Sequence, residues 1–267
     1  MPYAKGSIQL NEARDLPLLR QILRSEYATH SQLFDFMRVE HCEQNRKPFD
    51  WRLRRLVDNG LVERHAPGAG MRELVYSVTR SGAELLLDRG ENCLFGRDRS
   101  NGRHAERSVL HALGLNDIHL SALRAGVLVR WVGALEIRSQ NELTGFGFAK
   151  DYDALVTVGT AARSYRFAIE YERSAKTIER YRAIAEALDR ETLVPHVLYL
   201  VTSDDLLPFV MSHVGKAKRR VYFGLVRDWH AQLLDMPVSS SVSTTARRFR
   251  EILDCAAATF SPAVIAP

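Results

Sequence analysis

The chain has 267 residues, 46% of them hydrophobic and 26% charged, and no long block of one sign. That composition supports one large folded domain or two small ones and excludes an intrinsically disordered chain. A net charge of +5 and an isoelectric point of about 9.2 favour a polyanionic partner.

Residues 14–90 read as three helices, a hairpin and a fourth helix. Asp15 is placed to cap the first helix, with Leu19, Ile22 and Leu23 on its buried face. Thr29-His30-Ser31-Gln32 is a capping box opening a second helix with Leu33, Phe34 and Met37 apolar. Pro48 suits the first turn of a third helix, which Asn59-Gly60 ends. LVERH, the turn APGAG and MRELVYSV form a hairpin, and Thr79 caps a last helix closed by Gly90. The polar stretch 91–103, ENCLFGRDRSNGR, reads as a linker. A long helix over about 104–125 opens a second domain, 104–267. Strands follow near 127–137, 153–158, 165–172, 196–201 and 219–226, with helices near 175–189, 204–214 and 246–258. The helix near 175–189 has Ile178, Tyr181, Ala185 and Leu188 at helical spacing, and PVSSSVSTT (237–245) reads as a loop. Cys42, Cys93 and Cys255 are far apart with no C-x-x-C, which argues against a zinc knuckle or a disulfide framework and fits a reducing cytoplasm. The N-terminus lacks the apolar run of a signal peptide, and no stretch approaches the roughly 20 apolar residues of a membrane span, so no membrane insertion is expected.

On the third helix Phe49, Leu53, Leu56 and Val57 form an apolar stripe. Lys47, Trp51 and Arg55 fall opposite, flanked by Arg52 and Arg54. Arginines on such a face can read guanine edges or hold phosphates. The alternative is a solvated basic face. Arg64, His65 and Arg72 on the hairpin either touch a flanking phosphate or are ordinary surface residues. The segment LRRLVDNGLVERH…YSVTRSGAELL resembles the winged helix-turn-helix family, which implies binding of double-stranded DNA.

In FAIEYERSAKTIERY (167–181), strand alternation puts Phe167, Ile169 and Tyr171 on one face and Ala168, Glu170 and Glu172 on the other. Two carboxylates about 7 Å apart on one strand face cost energy unless a cation neutralises them. Asp153 stands at the start of the preceding strand, where a short antiparallel turn would bring it to Glu170. Three such oxygen ligands suit Mg²⁺ or Mn²⁺. Lys176 follows Glu172 by four residues and can reach back toward it. The alternative is that the glutamates pair with Arg166, Arg173 or Arg180.

Asp153 followed by Glu170-Tyr171-Glu172 and a helix resembles the PD-(D/E)xK nuclease core, with Glu172 in place of the usual lysine and Tyr152 in place of the usual proline. Together with HALGLNDIHLSAL (111–123), Trp131 and Glu136, YDALV and IEYERSAKTIERY, the chain resembles the replication-relaxation family, which includes the C-class mobilisation relaxases of plasmids and integrative elements. The resemblance implies an α+β protein: an N-terminal winged helix followed by a restriction-endonuclease-like α/β domain with a central mixed sheet. It implies strand-specific nicking of DNA at a transfer origin, possible contact with accessory mobilisation or coupling proteins, and a bacterial cytoplasmic setting. Asp153, Glu170 and Glu172 would hold the metal, and Lys176 would stand in for the missing lysine and orient the nucleophile or stabilise the pentavalent phosphorane. Glu136, read here on a strand, is either an accessory acid or a surface ion-pair partner. His111 and Asn116 are either accessory site residues or helix-surface and buried hydrogen-bonding residues. KAKRR (216–220) is a solvated loop or a track for the DNA backbone. The competing functions are a catalytically inert DNA-binding regulator of a mobile element and an accessory protein that serves as a scaffold of a transfer complex.

Overall fold

The computed structural model describes residues 9–67, 72–91, 103–144, 147–159, 164–215, 217, 220–240 and 243–259. They divide into two compact units, 1–124 with 138–143, and 125–137 with 144–267.

The first unit holds α1 (Asp15–Ser25), β1 (Ala28–Thr29), α2 (His30–His41), α3 (Arg46–Asp58), β2 (Val62–His65), β3 (Val75–Val78), α4 (Arg80–Leu87) and α5 (Arg103–Arg124). The expected element order is present, with the unforeseen β1 added to the hairpin in a sheet of order β1-β3-β2. Leu19, Ile22, Leu33, Phe36, Phe49 and Leu56 are fully buried, so the helical apolar stripes converge on one core. Thr29 opens α2 as expected: its hydroxyl accepts from Gln32 N at 3.1 Å, and Gln32 Oε1 accepts from Thr29 N at 3.2 Å. Asp15 is not a cap. It is the first residue of α1, fully buried, and its carboxylate accepts from Asn11 N at 2.6 Å and pairs with Arg55.

The helix expected to open the second domain, α5, belongs to the first unit. Polar groups tie it there: Asn116 Nδ2 donates to Tyr27 O at 2.8 Å, and Gln32 Nε2 donates to Leu113 O at 2.9 Å and Asp117 Oδ1 at 2.7 Å. Only the two ends of the expected linker lie within the described residues, and Glu91 there pairs with Arg20 at 2.5 Å.

In the second unit β4 (Leu128–Gly133) is followed by the first turn of α6 (Ala134–Leu143), whose residues 138–143 belong to the first unit, and then by β5 (Ala154–Gly159), β6 (Ser164–Glu172), α7 (Ile178–Arg190), β7 (Val197–Val201), α8 (Leu206–Val214), β8 (Val221–Leu225), α9 (Val226–Gln232), β9 (Pro237–Ser240), β10 (Ser243–Arg248) and α10 (Phe249–Thr259). Among the described residues the strands make a seven-stranded mixed sheet, β10-β9-β8-β7-β6-β5-β4. Strands β6, β7 and β8 are parallel and joined by α7 and α8, while both flanks are antiparallel. Leu155, Ala168, Val197 and Val221 pack with Tyr181 and Leu188 of α7 and Val210 of α8 on one face. On the other, Phe167 meets Trp229 of α9 and Phe249 of α10 edge-on, at 6.4 and 5.0 Å between ring centroids.

Three expectations fail here for identifiable reasons. The apolar run 127–137 reads as one strand, but the chain turns at Gly133 into α6. The serine-rich 237–245 reads as a loop, yet β9 and β10 there extend the sheet, with Ser239 and Ser240 paired to β8 and Val238 buried. Ile178 falls on the helical stripe by spacing but is 52% exposed, because it is the first residue of α7.

Candidate functional site

The antiparallel register of β5 and β6 pairs Ala154 with Ile169, and one further step sets Asp153 across from Glu170. Asp153 Oδ2 accepts from Tyr171 N at 2.7 Å. The parallel register pairs Glu170 with Tyr199 on β7 and Glu172 with Val201. Asp153, Glu170 and Tyr199 therefore form a polar row on the sheet face that α7 and α8 cover, with Tyr199 at the middle of β7 and Glu170 and Glu172 toward the carboxyl end of β6. The carboxyl ends of strands are the usual ligand-binding edge of α/β sheets.

Both glutamates are buried, each 5% exposed. Their cations are lysines, not the arginines weighed above. Lys176 Nζ pairs with Glu172 Oε2 at 2.5 Å. Lys150 pairs with Glu170, donates to Asp151 O at 3.3 Å and lies over the Tyr152 ring at 4.7 Å. Lys150 escaped the sequence reading because its partner is twenty positions away in the chain. Glu191 escaped it too. Its buried carboxylate accepts from Ala149 N at 3.0 Å, Tyr152 Oη at 3.0 Å and Leu193 N at 2.7 Å, and so pins the segment that carries Lys150.

Burial raises the Glu170 pKa above the ordinary carboxylate value, and Asp153 adds to it, while Lys150 and Lys176 oppose. Burial works against the Lys176 ammonium, but Glu172, Glu170 and Asp153 together outweigh it and hold its pKa above the ordinary lysine value. Burial also drives the Tyr199 hydroxyl well above its usual pKa, and all three carboxylates push the same way. That hydroxyl is fully buried and has no hydrogen-bond partner among the described residues. Lys176 is further fixed by its backbone N–H, which donates to Tyr181 Oη at 3.1 Å.

The donors are carboxylates and a hydroxyl, hard oxygen groups that fit a divalent cation such as Mg²⁺ or Mn²⁺. As the side chains stand, no three acidic, histidine or cysteine groups among the described residues form a metal-holding cluster. Asp153 and Glu170 are brought together, and Glu172 is held by Lys176. Glu136 sits in the first turn of α6, not on a strand, where its carboxylate accepts from Gly133 N at 3.2 Å. His111 is half-buried on α5, and Asn116 is a buried hydrogen-bonding residue.

In the first unit, Lys47, Trp51 and Arg54 are exposed on α3, with Trp51 at 59%. Arg52 is not on that face. It is buried and paired with Glu43. Arg55 is half-buried, engaged by Asp15, with its guanidinium 4.8 Å from the Trp51 ring centre. Helical spacing alone cannot separate these arginines, because the acids that draw two of them inward lie outside the helix. Arg64 and Arg72 are exposed, while His65 bonds Ser77 Oγ at 2.7 Å. The hairpin tip, 68–71, and most of KAKRR lie outside the described residues.

The molecule is thus an α+β protein of two units, one with an exposed basic and aromatic helix face, the other with a buried acid–lysine cluster toward the carboxyl end of β6. The chain belongs to the replication-relaxation family, whose model matches residues 19–191. Membership points to a role in DNA replication or mobilisation. No curated protein and no solved structure matches it. No described helix is long and apolar enough to cross a membrane.

Proposed function

We propose that the protein is a cytoplasmic, site- and strand-specific, metal-dependent DNA nickase (relaxase) acting on a transfer origin. In this reading the first unit is a winged helix that docks double-stranded DNA, and the second is a restriction-endonuclease-like domain that hydrolyses one strand. The observation that carries it is the row of Asp153, Glu170 and Tyr199 on one face of the sheet beside Lys176.

Asp153 and Glu170 would hold Mg²⁺ or Mn²⁺, with Glu172 as a third donor, and the bound ion supplies charge neutralisation at the phosphate and a more acidic water. Lys176 is protonated at neutral pH and donates to the phosphoryl oxygens as their charge grows. Tyr199 stays neutral and acts only as a hydrogen-bond donor or acceptor. Lys47, Trp51 and Arg54 meet the duplex, with Arg64 and Arg72 at flanking phosphates, while Arg52 and Arg55 brace the helix from behind. Accessory mobilisation or coupling proteins are further partners in this reading.

The inert DNA-binding regulator keeps one observation in its favour: two ammonium groups already neutralise Glu170 and Glu172. Incubating the full chain with supercoiled DNA in Mg²⁺ or Mn²⁺ against EDTA separates the two. The nickase converts supercoiled circles to open circles with one strand cut at one position. Intact circles under every metal condition favour the regulator, and equal cleavage of both strands points to a restriction-type dimer.

A further inference from the structure

The acid–lysine cluster contains three carboxylates, Asp153, Glu170 and Glu172, and two ammonium groups, Lys150 and Lys176. With all five ionised the cluster carries one net negative charge. A divalent cation added to it would leave one net positive charge in a buried place, which is costly. A divalent cation that replaces one ammonium leaves the cluster neutral.

The two lysines are not equally replaceable. Lys176 is held twice, by Glu172 and through its backbone N–H by Tyr181. Lys150 touches Glu170, the acid that faces Asp153, and has other partners at hand in the Asp151 carbonyl at 3.3 Å and the Tyr152 ring at 4.7 Å. Glu191 ties down its neighbours, through the Ala149 backbone N–H on one side and the Tyr152 side-chain hydroxyl on the other, so the movement can be confined to the Lys150 side chain. Resting on the metal-dependent reading above, we propose that Lys150 is a built-in counter-cation: its ammonium and the divalent ion are alternative partners of Glu170, and metal enters by displacing it.

The test is calorimetric titration of Mn²⁺ into the full-length protein, with no DNA and no turnover. Lys150→Met removes the competitor and should bind Mn²⁺ about tenfold tighter than wild type. Lys150→Arg provides a second measurement if the methionine variant folds poorly. Its guanidinium grips a carboxylate with two hydrogen bonds, so Mn²⁺ affinity should fall below wild type. Wild-type affinity in both variants, or weaker binding by Lys150→Met, overturns the role of Lys150 and leaves the metal reading standing. Absence of Mn²⁺ binding in wild type and both variants overturns the metal reading and this inference with it.

Discussion

Glu170 owes its raised pKa first to burial and only then to Asp153. Repulsion among acids, expected from strand alternation alone, is thus the smaller effect, because the spacing of residues along a strand does not reveal how deeply an edge is covered. The same limit applies on α3. Arg52 and Arg54 are both arginines on one helix, yet one is buried against Glu43 and the other is exposed. Arg52→Ala should lower stability by about 3–5 kcal/mol, the range for breaking a buried ion pair. Arg54→Ala should leave the melting temperature unchanged but weaken duplex binding and reduce its salt dependence. Melting curves beside fluorescence-anisotropy titrations with duplex DNA check both, and a reversed pattern would exchange the two roles. His119 adds a pH dependence. Burial, reinforced by Arg24, lowers its pKa to about 3 from 6.5, so the unfolded chain takes up the proton first as pH falls. Its contribution is intact above the unfolded value and is lost as pH drops from about 6.5 toward 3. At about 1.4 kcal/mol per pH unit the loss is roughly 3 kcal/mol by pH 4. Urea titrations at pH 7 and pH 4 should show His119→Leu losing less stability than wild type; parallel losses would mean that His119 does not titrate this way.

The helices of the first unit were legible because their signals are local. A capping box, an apolar stripe and an Asn-Gly stop each lie within one turn of what they specify. The Thr79 hydroxyl shows the strength of such signals, accepting from Gly82 N at 3.1 Å and donating to Gly60 O at 2.6 Å. Thr79→Ala should cost about 1–2 kcal/mol, seen as a lower urea midpoint. Gly82→Ala should cost a similar 1–3 kcal/mol or so by crowding, because a Cβ there would press on the Leu61 carbonyl and come within 2.9 Å of Val78 Cγ1. If the alanine variant is as stable as wild type, α4 has room to shift away from β2. Strands β9 and β10 were not legible, since a serine-rich stretch acquires a partner only when β8 arrives from elsewhere in the chain. α6 is hidden by the apolar run before it, and the sequence does not show that α5 packs in the first unit, because Asn116 and Asp117 declare their partners only in three dimensions. In the acid cluster, the pairing of β5 with β6 could be anticipated from a short turn between two apolar runs. The lysine seated on Glu170 could not.

The family match spans residues of both units, so one evolutionary unit joins the basic helix face to the acid–lysine cluster. In the nickase reading the first part supplies position and the second supplies chemistry, and the two are separable by mutation. The most direct test is a pair of assays on wild type and Asp153→Ala: Mn²⁺-dependent nicking of supercoiled DNA, and binding of the same DNA without metal. The account predicts that Asp153→Ala abolishes nicking while its DNA affinity stays within about twofold of wild type, since Lys47, Trp51 and Arg54 are untouched. Nicking by Asp153→Ala at the wild-type rate, or wild-type nicking that is equally fast in EDTA, would contradict it.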